Sequence, residues 1–268
     1  MRNSPLLTLG KYKIMPKKIE LPLYISPPNT CDYLREEQSR SLFLSPDISI
    51  NSEIYEQLLS TGFRRSGTTV YKPHCEHCHA CLPCRIRVAD FKLSRSQKRI
   101  LSKNSDLTFT PVSSAFNDEH FRLYLDYQAF KHPGGSMSEF DQTAYKQFLC
   151  QSIGRSIFYE TRLGKKLVAV SVTDVFAQAL SAVYTFFDPD FASRSLGTNS
   201  VLQQILTAKN HYKTYLYLGY YIQESKKMAY KQKFRPFELL INNTWQAYSK
   251  AETPASQSIS TQIQTNRA

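Results

Sequence analysis

The pattern of apolar and polar residues predicts mainly helices before residue 155. EIYEQLLSTG predicts a helix that stops near Gly62, and RSQKRILSK predicts a short basic helix at 95–103. Residues 116–151 show helical spacing on both sides of a loop, HPGGSM, at 132–137. The proline-rich residues 21–30 exclude a long helix there.

Beyond residue 155, segments rich in β-branched and aromatic residues predict strands. Three strands come first, with Gly164 at a hairpin turn, and a glycine-containing loop, RSLGTNS, then leads into an apolar helix. A strand, a basic helix and a last strand complete the order, in TYLYLGYYI, KKMAYKQKF and FELLINNTW. This alternation predicts an α/β (α+β) fold with a mixed sheet flanked by helices.

The same pattern divides the chain into four regions. We expect a flexible N-terminal segment at 1–30, a smaller cysteine-rich region at 31–105 and a second folded region at 106–248. Residues 249–268 are rich in Ser, Thr and Gln and lack aromatics, which predicts a disordered tail.

Composition indicates a folded protein with an acidic partner. Hydrophobic residues make up 41% of the chain, yet no apolar run is long enough for a membrane span or a secretion signal. We therefore expect a soluble, cytoplasmic protein. The formal net charge of +12 favours a nucleic acid or an anionic membrane surface as partner, against a merely solvated basic surface.

Two basic segments favour RNA, and we expect neither DNA nor a membrane as partner. The first, residues 85–103, contains seven basic residues and one acid, and includes Arg95, Lys98 and Arg99. The second contains Lys226 and Lys231 with aromatic residues such as Tyr230 between its charges. Lys and Arg neutralise phosphates, and aromatic rings stack on unpaired bases such as a tRNA 3′ end. Each segment alone is also compatible with a solvated helix face.

Four of the six cysteines lie within ten residues, at Cys75, Cys78, Cys81 and Cys84. Thiolates at this spacing can bind zinc or an iron–sulfur cluster, with Cys31 as a remote ligand. Redox-active or simply buried cysteines are the alternatives.

Gly197 lies where a loop enters a helix, a position whose free N–H groups favour an anion. Arg194 adds positive charge, and the R-x-x-G pattern resembles the pyrophosphate loop of acetyltransferase (GNAT) folds. An ordinary strand–helix turn is the alternative. Walker, G-x-G-x-x-G, H-E-x-x-H and G-x-S-x-G motifs are absent from the sequence.

Several long motifs resemble those of the aminoacyl-tRNA–protein transferases. They cover most of residues 31–245 and include GFRRSG, YKPHCEHCHACLPCRIRV, FKLSRSQKRILSKNSDL, SAVYTFFDP, RSLGTNSVLQQI and YLGYYIQESKKMAYKQKFRPFELL. The short bacterial branch is the most similar. The resemblance implies a GNAT-like catalytic half and transfer of leucine from Leu-tRNA to proteins that begin with Asp or Glu, which marks them for proteolysis. Arginyl transfer to the same N-termini is the alternative.

The resemblance also implies a cysteine set. Cys31, Cys75, Cys78 and Cys81 resemble the family's cysteines, whereas Cys84 stands outside its pattern. In related arginyltransferases, such cysteines are linked to the binding of zinc or an iron–sulfur cluster. The transfer itself requires no cofactor, because the aminoacyl ester is already activated.

Candidate roles follow for individual residues. Asp174 can orient the acceptor amine, act as its base, or cap a strand turn, and Tyr184 and Thr185 lie on the strand that precedes the glycine loop. An acidic acceptor needs a cation, and Arg forks match carboxylates and phosphates alike. The two arginines proposed for this are Arg64 and Arg65, and backbone N–H groups of Leu196, Gly197 and Thr198 are the candidate oxyanion or phosphate donors.

Two rival functions belong to other classes. One is a metal-dependent RNA-binding adaptor without catalysis, and the other is a CoA-dependent N-acetyltransferase. The second basic segment favours transfer from tRNA, because a CoA enzyme does not need it.

Overall fold

A computed structural model describes residues 20–131, 133 and 141–249 of the chain. Its N-terminal part holds a four-stranded antiparallel sheet of order β1-β4-β6-β5 and a two-stranded ribbon of β2 and β3. Their bounds are β1 (Leu23–Ile25), β2 (Asn29–Thr30), β3 (Gln38–Ser39), β4 (Ser41–Leu44), β5 (Arg64–Ser66) and β6 (Thr69–Pro73). The predicted flexible segment, 1–30, therefore contains β1 and β2, and its residues 1–19 lie outside the described part.

The described residues form a second, eight-stranded sheet of order β14-β13-β7-β12-β11-β10-β9-β8. Its strands are β7 (Leu82–Arg87), β8 (Leu107–Ser113), β9 (Arg155–Leu163), β10 (Lys166–Val175), β11 (Ala179–Phe187), β12 (Tyr215–Tyr221), β13 (Phe237–Ile241) and β14 (Thr244–Tyr248). All neighbours are antiparallel except β11 and β12. The large sheet contains strands from both sides of the boundary predicted after residue 105, because β7 belongs to the cysteine-rich region at 31–105. The boundary itself stays a prediction.

The helices of the described residues cover both faces of the large sheet. They are α1 (Ser52–Ser60), α2 (Arg95–Lys103), α3 (Asp118–Lys131), α4 (Gln142–Tyr145), α5 (Leu196–Asn210) and α6 (Lys226–Ala229). A π-helical turn, Lys146–Cys150, continues α4, and a 3₁₀ turn, Tyr230–Lys233, continues α6. No helix in this part of the chain is long and apolar enough to cross a membrane.

α5 packs on one face of the large sheet. Its buried side chains Leu202 and Ile205 contact the core formed with Ile86 and Leu216. α5 also connects β11 to β12, as a parallel pair requires. Each fully buried Leu or Ile contributes about 1.5–3 kcal/mol through removal from water, which fixes this helix across the sheet.

α3 and the four-stranded sheet cover the opposite face. Tyr124 of α3 packs with Val172 and Phe186, and Tyr55 of α1 packs with Phe176. The N-terminal sheet is therefore fixed against β10 and β11, the strands that carry Asp174, Tyr184 and Thr185.

The mixed α/β sheet flanked by helices is confirmed, and so are the helices at 95–103 and 118–131 and strands β9 to β11. Gly164 forms the predicted turn, with a φ of 57°. Only residue 133 of the predicted 132–137 loop is described with its structure assigned, and the predicted tail lies outside the described residues beyond residue 249.

Three predictions of secondary structure are wrong. FELLINNTW forms a hairpin and not one strand, because Asn242 and Asn243 adopt φ values of 49° and 59° and make a two-residue turn. KKMAYKQKF forms only one turn of α-helix followed by a 3₁₀ turn. RSLGTNS is not a loop throughout, because α5 already begins at Leu196 and contains Gly197.

Gly67, in the β5–β6 turn, contacts the π-helical turn at Lys146–Cys150. Its φ is 60°, its N–H donates to the carbonyl of Phe148 over 3.2 Å, and an added Cβ would lie 2.2 Å from the carbonyl oxygen of Gln147. The backbone of the π-helical turn thus leaves room only for glycine.

We expect Gly67→Ala to lower the free energy of unfolding by about 2 kcal/mol or more, from overpacking against backbone that cannot withdraw. Gly164→Ala is the matched control, since Gly164 also has a positive φ but nothing within 4 Å of its Cβ position. Urea unfolding followed by circular dichroism measures both. Equal losses in the two variants would show that the close approach at Gly67 is unimportant.

Candidate active site

The parallel strands β11 and β12 separate soon after they pair. Their register covers only Ala179–Ser181 against Tyr215–Tyr217. Beyond it, Ala182–Phe187 and Leu218–Tyr221 form what we call the strand fork. The edge of β11 that faces the fork has no strand partner among the described residues, so its backbone groups are available to a ligand. Open sheets bind ligands at the carboxyl ends of such strands, which makes the fork the candidate active site.

Tyr184 lies on β11 beside the fork. Its hydroxyl oxygen accepts a hydrogen bond from Gln128 Nε2 of α3 over 2.8 Å, and its ring lies edge-on to Phe148 with centroids 5.4 Å apart. Burial raises the pKa of Tyr184, so the phenol stays protonated at neutral pH. Because Gln128 donates to the oxygen, the phenolic hydrogen is left for another acceptor. Thr185 is half-buried and, by strand alternation, points to the opposite face of the sheet.

The first turn of α5 follows the fork. Ser195 precedes the helix in the left-handed region with a φ of 57°, and Gly197 and Thr198 are half-buried in the first turn. Backbone N–H groups of a first turn have no acceptor within the helix. Leu196 packs in the core with Val168, so only its backbone is suited to the predicted role.

Arg194 is occupied by an acid of the protein. Its guanidinium donates to both oxygens of Asp106, over 3.0 and 2.7 Å, and these hydrogen bonds lower the pKa of Asp106. Arg194 therefore anchors the loop before α5. Its predicted contact with tRNA stays a prediction.

Arg65 and Asp174 form a buried, bidentate ion pair. Arg65 Nε and Nη2 each donate to one carboxylate oxygen over 2.6 Å, and the two side chains are 1% and 0% exposed. Arg65 Nη1 donates to the carbonyls of Gly67 and Gln151 over 3.0 and 2.9 Å. Each group is thus satisfied within the protein, and the predicted roles of Arg65 in acceptor binding and of Asp174 in catalysis stay predictions.

We expect Asp174→Asn to lower the free energy of unfolding by about 3–5 kcal/mol, because it leaves the Arg65 charge buried without a counter-charge. Asp106→Asn is the matched control: it breaks a pair whose acid is 48% exposed and belongs in the range of about 0–1 kcal/mol. Chemical denaturation of the purified variants measures both. A loss of catalytic activity in Asp174→Asn with stability unchanged would contradict a structural role and favour a catalytic one.

Arg64 differs from its neighbour, because it has no acidic partner in the part of the chain that the structure describes. It is 6% exposed, and its guanidinium donates to the carbonyls of Phe63 and Gly219 over 2.6 and 3.1 Å. It also lies against the rings of Tyr217 and Tyr220, with centroid distances of 5.3 and 5.5 Å. Its Nε is buried and has no hydrogen-bond partner among the residues with a described structure.

Lys231 is the second buried cation beside the fork. It is 4% exposed, its Nζ donates to the Tyr220 carbonyl, and Met228 Sδ lies 3.4 Å away. Burial lowers the pKa of Lys231 to about 8, and the neighbouring Arg64 contributes to this lowering. The other predicted residues of this segment differ, since Lys226 is exposed and Tyr230 keeps 38% of its surface.

A basic face lies between this segment and the first turn of α5. Arg95, Lys98 and Arg99 of α2 are exposed, and a Ser94–Gln97 capping box begins the helix. Gln97 Nε2 donates to the Lys233 carbonyl over 2.9 Å, and Lys103 Nζ donates to the Ser193 carbonyl over 2.8 Å. We call Arg95, Lys98, Arg99 and Lys226 the basic face.

The cysteines divide into two environments. Burial and the neighbouring Cys75, Cys31 and Cys78 raise the pKa of Cys81 to about 12, whereas Cys84 packs in the core beneath α5. Among the described residues, no three His, Cys, Asp or Glu side chains are grouped as metal ligands. The four predicted ligands, Cys31, Cys75, Cys78 and Cys81, are thus neighbours, but their side chains are not arranged around a common metal position. Zinc or iron–sulfur binding stays a prediction, and the proposed chemistry uses no metal.

Two residues of the site were not predicted from the sequence. Gly219 interrupts an otherwise regular strand, TYLYLGYYI, and such a glycine indicates a bulge or a close approach. The strand register shifts there, between Tyr217 and Tyr220. Gln128 carries no comparable signal, because a polar residue within an amphipathic helix is ordinary.

Comparison with known proteins identifies relatives along most of the chain. Residues 29–99 match the family described as arginine-tRNA-protein transferase, N terminus, and residues 119–241 match its C terminus. An aspartate/glutamate leucyltransferase of Pseudomonas fluorescens (strain Pf0-1) is 45% identical over 86% of this chain and 98% of its own length. One of Saccharophagus degradans is 43% identical over 84% and 96%. A solved structure, L-PGS from Bacillus licheniformis, has a TM-score of 0.42 at 13% identity and covers 75% of this chain and 65% of that one.

Proposed function

This chain belongs to the arginine-tRNA-protein transferase family, and we propose that within it the chain transfers leucine from Leu-tRNA to proteins that begin with Asp or Glu. The observation that carries leucine over arginine is the 45% identity, over nearly the whole length of the relative, to an aspartate/glutamate leucyltransferase. The leucine-bearing product would be an N-degron, a mark for proteolysis. Because aminoacyl-tRNA is a cytoplasmic substrate, we also propose a cytoplasmic location.

The topology supports a GNAT-like catalytic region. In that fold, an antiparallel series of strands leads to a parallel pair that separates around the acyl donor, with a helix connecting the pair. Strands β8 to β11, the crossover helix α5 and the strand fork follow this order. We propose residues 106–248 as this region, completed by β7 from the cysteine-rich region at 31–105.

The reaction is attack of the acceptor α-amine on the aminoacyl ester. The amine nitrogen bonds to the ester carbonyl carbon, the tetrahedral intermediate collapses, and the ribose oxygen of tRNA leaves with a proton in place of the one the amine loses. No covalent enzyme intermediate is needed, provided that the reacting atoms are held within about 3–3.5 Å.

The fork supplies groups for two of these steps. Its free β11 edge and the first-turn N–H groups of α5 can stabilise the oxyanion, a contribution of about 3–4 kcal/mol per donor. The Tyr184 hydrogen left free by Gln128 can protonate the leaving ribose oxygen, since burial keeps the phenol neutral. Thr185 faces the other side of β11 and has no assigned step.

We expect wild-type protein to move radiolabelled leucine from Leu-tRNA to peptides that begin with Asp or Glu, and not to those that begin with Lys or Ala. Acid-precipitable label, with mass spectrometry of the peptide, measures the transfer. Label only from Arg-tRNA would show arginyl transfer, acetylation from acetyl-CoA without tRNA would show an acetyltransferase, and RNA binding without product would show an adaptor.

The basic face supports tRNA binding, because its charges are exposed and α2, which carries three of them, contacts both the 3₁₀ turn after α6 and the loop before α5. We expect Lys98→Gln with Arg99→Gln to weaken tRNA binding and to reduce the slope of log K against log salt by about 2, one for each phosphate that is no longer neutralised. Filter binding at several salt concentrations measures the slope. Lys165→Gln, on the exposed β9–β10 turn, is the single-charge control, and an equal change there would assign the effect to net charge alone.

A further inference from the structure

Two buried cations contact the β12 strand of the fork, and the described part of the chain supplies no counter-charge to either. Arg64 and Lys231 are 6% and 4% exposed, and within the described residues neither has a carboxylate oxygen within 4 Å. Lys72 lies near Arg64, and burial together with the charge of Arg64 lowers the pKa of Lys72. Its Nζ donates to the carbonyl of Thr61.

Buried cations without counter-charge are unfavourable, because carbonyl dipoles replace only part of the lost hydration. The neighbouring residue shows the ordinary solution, since Arg65 is fully paired with Asp174. In the described ranges, the chain therefore supplies an acid for one arginine of the Arg64–Arg65 dipeptide and none for the other. An anion brought by a ligand would balance the remaining charge.

The two cations converge on the same bulge of β12. Arg64 donates to the carbonyl of Gly219, and Lys231 donates to the carbonyl of Tyr220. Both also act on the thiol of Cys84, lowering its pKa against the larger effect of burial. Tyr220 pairs with Pro83, which has no N–H to donate, so the strand partner cannot replace Lys231 there.

The bulge also leaves space and unused donors. Gly219 has a φ of 78°, is half-buried, and has nothing within 4 Å of the position of a Cβ. Arg64 Nε is a buried donor to which residues 20–131, 133 and 141–249 offer no acceptor. Lys231 has three N–H donors, of which one is used on Tyr220 and one faces only the weak acceptor sulfur of Met228.

We propose that Arg64 and Lys231 form the subsite that binds the side-chain carboxylate of the acceptor's N-terminal Asp or Glu, beside Gly219. This rests on the proposed transfer to acidic N-termini. Lys72 adds positive charge next to Arg64 without being required as a direct contact. Gly219 and Tyr220 belong to the β12 strand of the fork, so the proposal places the acceptor's α-amine at the fork as well.

A carboxylate fits this site better than a tRNA phosphate does. A phosphate in a polynucleotide carries ribose on both sides and needs an open surface, which the exposed basic face provides and the buried pair does not. A terminal side chain can enter a narrow site end-on, and an Arg–Lys pair offers N–H donors from two directions to its two oxygens.

The decisive variant is Lys231→Met, which removes the charge at nearly constant volume. With saturating Leu-tRNA, we expect the KM for Asp- and Glu-peptides to rise by about 10-fold or more, the effect of losing one charge-assisted hydrogen bond, while the KM for Leu-tRNA stays unchanged. Lys231→Arg keeps the charge and should remain within a few-fold of wild type. Lys165→Met, which loses an exposed charge elsewhere, should match wild type.

Discrimination between acidic and neutral acceptors gives the specific readout. The ratio of kcat/KM for Asp- over Asn-peptides should fall in Lys231→Met and persist in Lys231→Arg. An increased KM for Leu-tRNA with acceptor KM unchanged would overturn the proposal in favour of a phosphate site. An equal loss for Asp- and Asn-peptides would also overturn it, since that is the result of a structural role.

A test on the wild-type protein does not depend on whether the variants fold. An Asp-Ala dipeptide should raise the Tm more than Asn-Ala does, because only the former neutralises the buried charge. Equal shifts would contradict the subsite. Absence of any leucylated product from wild type, with the Asp-specific shift present, would refute the proposed function and leave the carboxylate site standing.

Discussion

The Arg65–Asp174 ion pair joins the N-terminal sheet to the eight-stranded sheet. Its two hydrogen bonds of 2.6 Å connect β5 to β10, and the remaining Arg65 donors reach the carbonyls of Gly67 and Gln151. Such a pair is stable only when every donor and acceptor is satisfied, so it tolerates little displacement of one sheet against the other. Because strand alternation turns Arg64 away from Arg65, the same pair also fixes Arg64 against β12.

The second constraint is the short register between β11 and β12. Parallel strands need a crossover, and α5 provides it by packing its apolar side chains on the sheet. Beyond Ser181, however, the strands no longer pair, so the sheet opens on the side where the chain enters α5. The backbone N–H groups of that first helical turn have no acceptor within the helix. Unpaired strand edge, free helical N–H groups and buried cations are consequently concentrated at one end of one strand pair.

The sequence predicts the regular elements better than the site. The β-branched strands β9 to β11 and the periodic helix α5 carry strong local signals, and both are confirmed. β7 and the β13–β14 hairpin were not predicted, because Leu82–Arg87 lies within a cysteine- and arginine-rich stretch and the Asn242–Asn243 turn has no glycine. In each case long-range pairing decides the conformation, and a local pattern does not contain it.

The site shows a related limit, because charge in a sequence does not reveal burial. Arg64 and Arg65 are equivalent in GFRRSG, and Lys231 resembles the exposed lysines around it. Only the packing distinguishes them: within the described structure, Arg65 has an acidic partner, whereas Arg64 and Lys231 are buried without one. Arg64 and Arg65, two adjacent arginines, therefore have opposite effects on stability. The paired Arg65 joins two sheets, whereas burial of Arg64 without a counter-charge is unfavourable. The buried charges of Arg64 and Lys231 lower the stability of the free protein, and a ligand that brings a carboxylate can offset that loss. In our proposal, the same missing counter-charge makes the site select an acidic acceptor over a neutral one.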